Sequence, residues 1–84
     1  MKENWRIIDN CLIYTGLDFV AFVEQTSKPE EWQVRITKGD GSEDKSVIIN
    51  YYYTLSLAVQ DVEQFFDLSI PEQREQFEMS SRVS

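Results

Sequence analysis

The side chains able to do chemistry here are few: one cysteine, fifteen carboxylates, a run of three tyrosines, and no histidine to serve as base or metal ligand. Cys11 lies in the apolar run Cys11, Leu12, Ile13, Tyr14. That setting predicts a buried, inert thiol, because a reactive thiolate needs a cationic neighbour and commonly a histidine. Being single, it closes no internal disulfide. The stretch Asp40, Gly41, Ser42, Glu43, Asp44 has the oxygen-rich character of a calcium loop. With Asp40 as first ligand, however, the glycine needed at the sixth position falls on Lys45, and the bidentate glutamate of the twelfth falls on Tyr51. A solvated hairpin loop is expected instead. Phosphate-cradling glycine motifs, a cysteine pair for zinc, and Ser/His/Asp or Cys/His sets are missing. Paired carboxylates alone can hydrolyse glycosides when a cleft holds them roughly 5 to 10 Å apart, but a chain of 84 residues has little interior from which to build one. The reading is a protein without catalysis, metal or cofactor.

What remains is charge and aromatic surface. Lys and Arg number 8 against 15 Asp and Glu, a formal net charge of -7 with a pI near 4.4, so direct binding to nucleic-acid phosphate is not expected. The C-terminal half concentrates the acid: over residues 46–84, Asp61, Glu63, Asp67, Glu72, Glu75 and Glu78 stand against Arg74 and Arg82. One reading is a solvated helix face, with Arg74 and Glu78 paired one turn apart. The other is an anionic surface that docks on a basic groove built for nucleic acid. A helix over 55–67 is roughly 20 Å long, and duplex DNA of that length carries about 12 phosphates, against the carboxylates of Asp61, Glu63 and Asp67. Full DNA mimicry is therefore out of reach, and partial mimicry would need tyrosines to complete a steric block.

Strands and helices must position these groups, and their periods are legible. Trp5, Ile7 and Ile8 open a short strand, and Asp9-Asn10 reads as a tight turn into a second strand at Cys11 to Tyr14. Residues Phe19 to Val23 are β-prone and apolar on both faces, which predicts a central, well-covered strand. Pro29 marks a loop. Trp32, Val34 and Ile36 then alternate with Gln33, Arg35 and Thr37 at a strict period of two, so one face is core and the other wet. The glycine-bearing loop over 38–44 returns the chain as Val47 to Tyr53, the second arm of an antiparallel hairpin. Alternation sends at least one ring of Tyr51, Tyr52 and Tyr53 to each face.

From Thr54 the period changes. Leu55, Ala58, Val59, Val62, Phe65 and Phe66 form one helical stripe, with Gln60, Glu63, Gln64 and Asp67 opposite, and Thr54 or Ser56 caps the start. Ser69, Ile70, Pro71, Glu72 carries a capping box and a first-turn proline. The helix they begin is weakly amphipathic, ends near Met79 and offers mainly Phe77 to the core, and residues 80–84 are expected to fray. The sum is a single α+β domain over residues 1–84, with four or five antiparallel strands followed by one amphipathic helix and a short C-terminal helix. One helix covers one sheet face, which leaves Gln33, Arg35, Thr37 and one side of the 47–53 strand bare. No apolar run approaches the roughly 20 residues of a membrane span, and no signal peptide opens the chain, so a cytoplasmic protein is expected.

The early Trp5-x-Ile7 strand, and the aromatic strand end that runs through Tyr52, Tyr53, Thr54 and Leu55 into a helix with Ala58, resemble small proteins carried by bacterial phages and prophages. In size and acidity the chain is similar to phage-encoded anti-CRISPR proteins. That class implies a non-enzymatic inhibitor in the host cytoplasm that binds a protein partner and blocks the basic nucleic-acid-binding surface of a host complex. The contacts expected for it come from the charge distribution: Asp61, Glu63, Asp67, Glu72 and Glu75, with Tyr51, Tyr52 or Tyr53 as a desolvated anchor. Two other readings stand beside it. One is a homodimeric structural or regulatory subunit joined through its sheet. The other is an immunity or antitoxin-type inhibitor of a basic nuclease.

Overall fold

Two adjacent residues with positive φ, Asp9 at 50° and Asn10 at 64°, turn the chain between β1 (Trp5–Ile8) and β2 (Cys11–Thr15). Two-residue hairpin turns of the primed type need this at both central positions, and Asp and Asn tolerate it better than most side chains. The rest of the sheet follows in chain order: β3 (Phe19–Gln25), β4 (Trp32–Lys38) and β5 (Ser46–Tyr52). Helices α1 (Leu55–Asp67) and α2 (Ile70–Ser80) come next, and β6 (Arg82–Val83) closes the chain. This computed structural model describes residues 4–39 and 44–83. Of the stretch Asp40 to Asp44 weighed as a calcium loop, residues 40–43 lie outside the described residues.

The fold class is the α+β one that the periods predict, strands first and helices after, with a sheet of six antiparallel strands in the order β1-β2-β3-β4-β5-β6. The sixth strand corrects the expectation that the tail frays. Ser81 N–H donates to the Phe77 carbonyl (2.9 Å) and ends α2, after which Arg82 and Val83 pair with Val47 and Ser46. The physical reason is topological. The end of α2 returns the chain to the outer edge of β5, whose backbone groups need partners, and no local pattern announces that meeting. Ser84 lies outside the described residues.

Register builds the core in rows. Leu12 pairs with Val23 and Val23 with Val34; Tyr14 pairs with Ala21, Ala21 with Ile36, and Ile36 with Ile48. Helix α1 lays Ala58, Val62 and Phe65 over these rows, α2 adds Phe77, and Trp5, Trp32, Tyr52, Val59 and Phe66 pack around the margin. Each fully buried side chain of this size contributes about 1.5 to 3 kcal/mol. Aromatic contacts run unbroken from β1 to α2: Trp5 on Tyr14 edge-on, Tyr14 stacked on Phe66 at 4.3 Å, Phe66 on Phe65, Phe65 on Phe19, and Phe19 on Phe77 at 4.8 Å. Gly16 makes room for this line, because a Cβ there would lie 2.5 Å from Phe66 Cε1.

Both helix starts are capped as the sequence indicates. Leu57 N–H donates to Thr54 Oγ1 (3.1 Å), and the Ser69–Glu72 capping box is closed in both directions. Pro71 stands in the first turn of α2. One clamp between the helices had no sequence signal. Gln73, 3% exposed, donates Nε2–H to the carbonyl of Leu68 at 2.9 Å and holds the α1–α2 corner.

Candidate protein-binding surface

Alternation along each strand divides the sheet into two faces, and the helices cover the face that carries Phe19, Ala21 and Val23. The other side of β3 carries Val20 and Phe22. Among the described residues no element lies over it, so the strand expected to be covered on both sides is covered on one. Its cross-strand partners define the exposed rows. Arg6 pairs with Ile13, Ile13 with Phe22, Phe22 with Arg35, and Arg35 with Ile49. The next row runs through Ile8 and Cys11, then Glu24, Gln33 and Tyr51, and the opposite one through Val20, Thr37 and Val47. The prediction that Gln33, Arg35 and Thr37 share a bare face with one side of the β5 strand therefore holds.

Arg35 sits in the middle of this face. Its guanidinium carbon is 5.3 Å from the centroid of the Phe22 ring, a cation–π arrangement. Its Nε–H is out of reach of water and meets no acceptor among the described residues. The other charges of the face are Arg6, Glu24 and, across from Val47 at its edge, Arg82, so a chain of net charge -7 presents here a surface that is apolar with a positive centre. Cys11 is half-buried on this face rather than fully buried. Burial, and secondarily Glu24, push its thiol up from the ordinary value, which keeps it protonated and agrees with an inert role.

The residues singled out for partner binding do not form one site. Tyr51 lies on the open face, 56% exposed, where its hydroxyl accepts from Gln33 Nε2 (3.1 Å). Tyr52 points to the helix side, packs on the core and hydrogen-bonds Asp61. Burial first, and then that bond and the Asp61 charge, push the Tyr52 hydroxyl up to about 12. Tyr53, 81% exposed, follows β5 on the way to α1. Of the carboxylates, Asp61 is engaged by Tyr52, and Glu63 accepts from Trp5 Nε1 at 3.0 Å. Glu72 Oε1 accepts from the Ser69 hydroxyl at 2.8 Å in the capping box. Asp67 and Glu75 are exposed on the helices, on the opposite side of the sheet from Tyr51. Arg74 does not pair along its helix with Glu78; its Nε donates to Asp18 Oδ2 (2.7 Å) and ties α2 to the β2–β3 turn.

A cleft of about 530 Å³ opens between that turn and α2 and is lined by Asp18, Lys38, Asp44, Arg74, Phe77 and Glu78 among others. Four of its charges form ion pairs: Arg74 with Asp18, and Lys38 Nζ with Asp44 Oδ2 at 2.8 Å. Hydrogen bonds from Lys38 and Ser46 hold the Asp44 carboxyl well below the usual range. The oxygens of this one described member of the calcium-like stretch are thus committed to protein donors. Among the described residues no group of three or more His, Cys, Asp or Glu could hold a metal ion. No described helix is long and apolar enough to cross a membrane.

Sequence reading missed Arg35 as a site residue. The signal was present, an arginine at a wet position of a strictly alternating strand, but its isolation depends on cross-strand neighbours. The chain matches no protein-family model, no curated protein and no solved structure.

Proposed function

We propose that this is a non-enzymatic protein-binding module that works through the open face of its sheet. One observation carries the reading. A six-stranded sheet presents Ile13, Phe22, Ile49, Val20 and Tyr51 on a side that no described element covers, although an uncovered sheet face in a solitary domain is ordinarily polar. Rings and aliphatic side chains around an arginine are the composition of interface centres. The charged cleft beside α2, with its ion pairs internally matched, offers less to a partner.

The narrower expectation, a phage-type anti-CRISPR-like inhibitor that lays acidic helices on a basic nucleic-acid-binding surface, places the contact on the other side of the molecule. It draws less support, since Asp61, Glu63 and Glu72 are engaged within the chain. The same holds for an inhibitor of a basic nuclease. A homodimer through the open face would be isologous, and a two-fold axis through its centre would set Arg35 against its own copy.

The deciding experiment compares three forms of the chain in pull-downs from its source cell at low and high salt: the native protein, Phe22→Ser, and the double variant Asp67→Lys with Glu75→Lys. Loss of the partner with Phe22→Ser alone, at either salt, is the expected outcome. Loss with the helix variant alone, steepest at low salt, would move the site to the acidic helices. Light scattering of the native protein reads the homodimer directly.

A further inference from the structure

We propose that Arg35 is a carboxylate receptor at the centre of the open face, and that the partner it fits is a protein surface presenting an Asp or Glu side chain among apolar ones. The proposal rests on the open face being the binding surface and names the chemistry that surface would accept.

Arg74 has Asp18 and Lys38 has Asp44, both at the periphery. Arg35, at the middle of the sheet, makes no ion pair among the described residues. Glu24, one row along on the same face, pairs across the strands with Gln33 and does not reach it within 4.0 Å. The guanidinium lies on Phe22, with Ile49 directly across the strand on the other side. In that setting the Nε–H is shielded from water without an acceptor among the described residues, which is unfavourable. An incoming carboxylate, no smaller than water, would meet the terminal nitrogens of the guanidinium, which are not among the buried unpartnered atoms. The guanidinium fork matches the two oxygens of a carboxylate, and apolar flanks that exclude water strengthen the pair.

Charge complementarity then selects the partner. The molecule as a whole, at -7, attracts basic surfaces, whereas this face has Arg6, Arg35 and Arg82 against Glu24 and attracts the opposite sign. A nucleic-acid or lipid phosphate surface would bring many anions to a strongly acidic chain and would leave the rows around Ile13, Phe22 and Ile49 unmatched. A single carboxylate set in an apolar protein surface satisfies both the fork and the rows. A second copy of this chain would bring arginine to arginine.

The test selects binders for the full chain from a displayed library of random peptides, then sorts them by loss of binding to Phe22→Ser, which marks those that sit on the open face. Overall charge predicts that binders to this protein are rich in Lys and Arg. The proposal predicts that the open-face class carries an Asp or Glu, whose change to the amide weakens binding about tenfold or more, and that Arg35→Met weakens the same peptides comparably. The peptide-side change keeps the test valid even where Arg35→Met perturbs folding. Open-face binders that lack an acidic residue, or that bind Arg35→Met and the native chain equally, would overturn the carboxylate assignment and leave the face itself standing. An absence of any Phe22-dependent binder would overturn both. Arg35-dependent saturation by duplex DNA or by anionic phospholipid vesicles would replace the protein carboxylate with a phosphate and overturn the assignment of partner.

Discussion

The two faces of β3 carry side chains of similar apolarity and meet different fates. Phe19, Ala21 and Val23 are almost wholly removed from solvent, at 3%, 0% and 0% exposure, beneath α1 and α2. Val20 and Phe22, one residue out of phase, stay half-buried with only their strand neighbours around them. The first face is covered by this chain's own helices, and no described element covers the second. Composition along the strand does not distinguish them. What does is the number of helices, since two short helices on one side of six strands leave the other side uncovered.

Substitutions at the two extremes of burial separate the faces. Phe77→Ala removes the α2 anchor from the covered face and should cost about 3 to 5 kcal/mol, read as a fall in the urea midpoint. In so small a domain that is most of the stability, and α2 and β6 should be lost together. A loss under about 1 kcal/mol would mean that α2 is not part of the core.

The polar seam that holds α1 on its face comes next. Glu63→Leu strands the Trp5 indole N–H and should cost about 1 to 2 kcal/mol, with a change in tryptophan fluorescence in the folded state. Tyr52 sharpens the same seam through pH. Its hydroxyl is raised from 10.0 to about 12 in the fold, so the neutral form is favoured by folding. The resulting stability is complete below the unfolded value near 10 and is lost as pH climbs through about 12. Alkaline unfolding should therefore steepen in that window for the native chain and flatten in Tyr52→Phe.

The smallest expected effect is on the open face. Phe22→Ser should change stability by about 1 kcal/mol or less, because the ring already borders water, while abolishing partner capture. Equal losses at Phe77 and Phe22 would erase the distinction between the faces.

Much of the fold was legible from local pattern. The strict alternation of Trp32 to Thr37 marked β4, the Leu55 to Phe66 stripe marked α1, and Ser69 with Glu72 marked the start of α2. The candidate site was legible only in part. The bare side of β4 followed from its period, but the acidic residues had looked equivalent until folding engaged Asp61 and Glu63 with aromatic side chains of the sheet.

The amino-acid sequence alone determined the elements, their caps and the Asp9-Asn10 turn, because each of these depends on residues within a few positions of one another. Tertiary structure alone decided that Glu63 meets Trp5, 58 positions away, that Arg74 meets Asp18, 56 away, that the tail pairs with β5, and that Arg35 has no carboxylate partner among the described residues. Those outcomes are set by which strands lie side by side and where the helices end, and chain connectivity across the whole sheet fixes both.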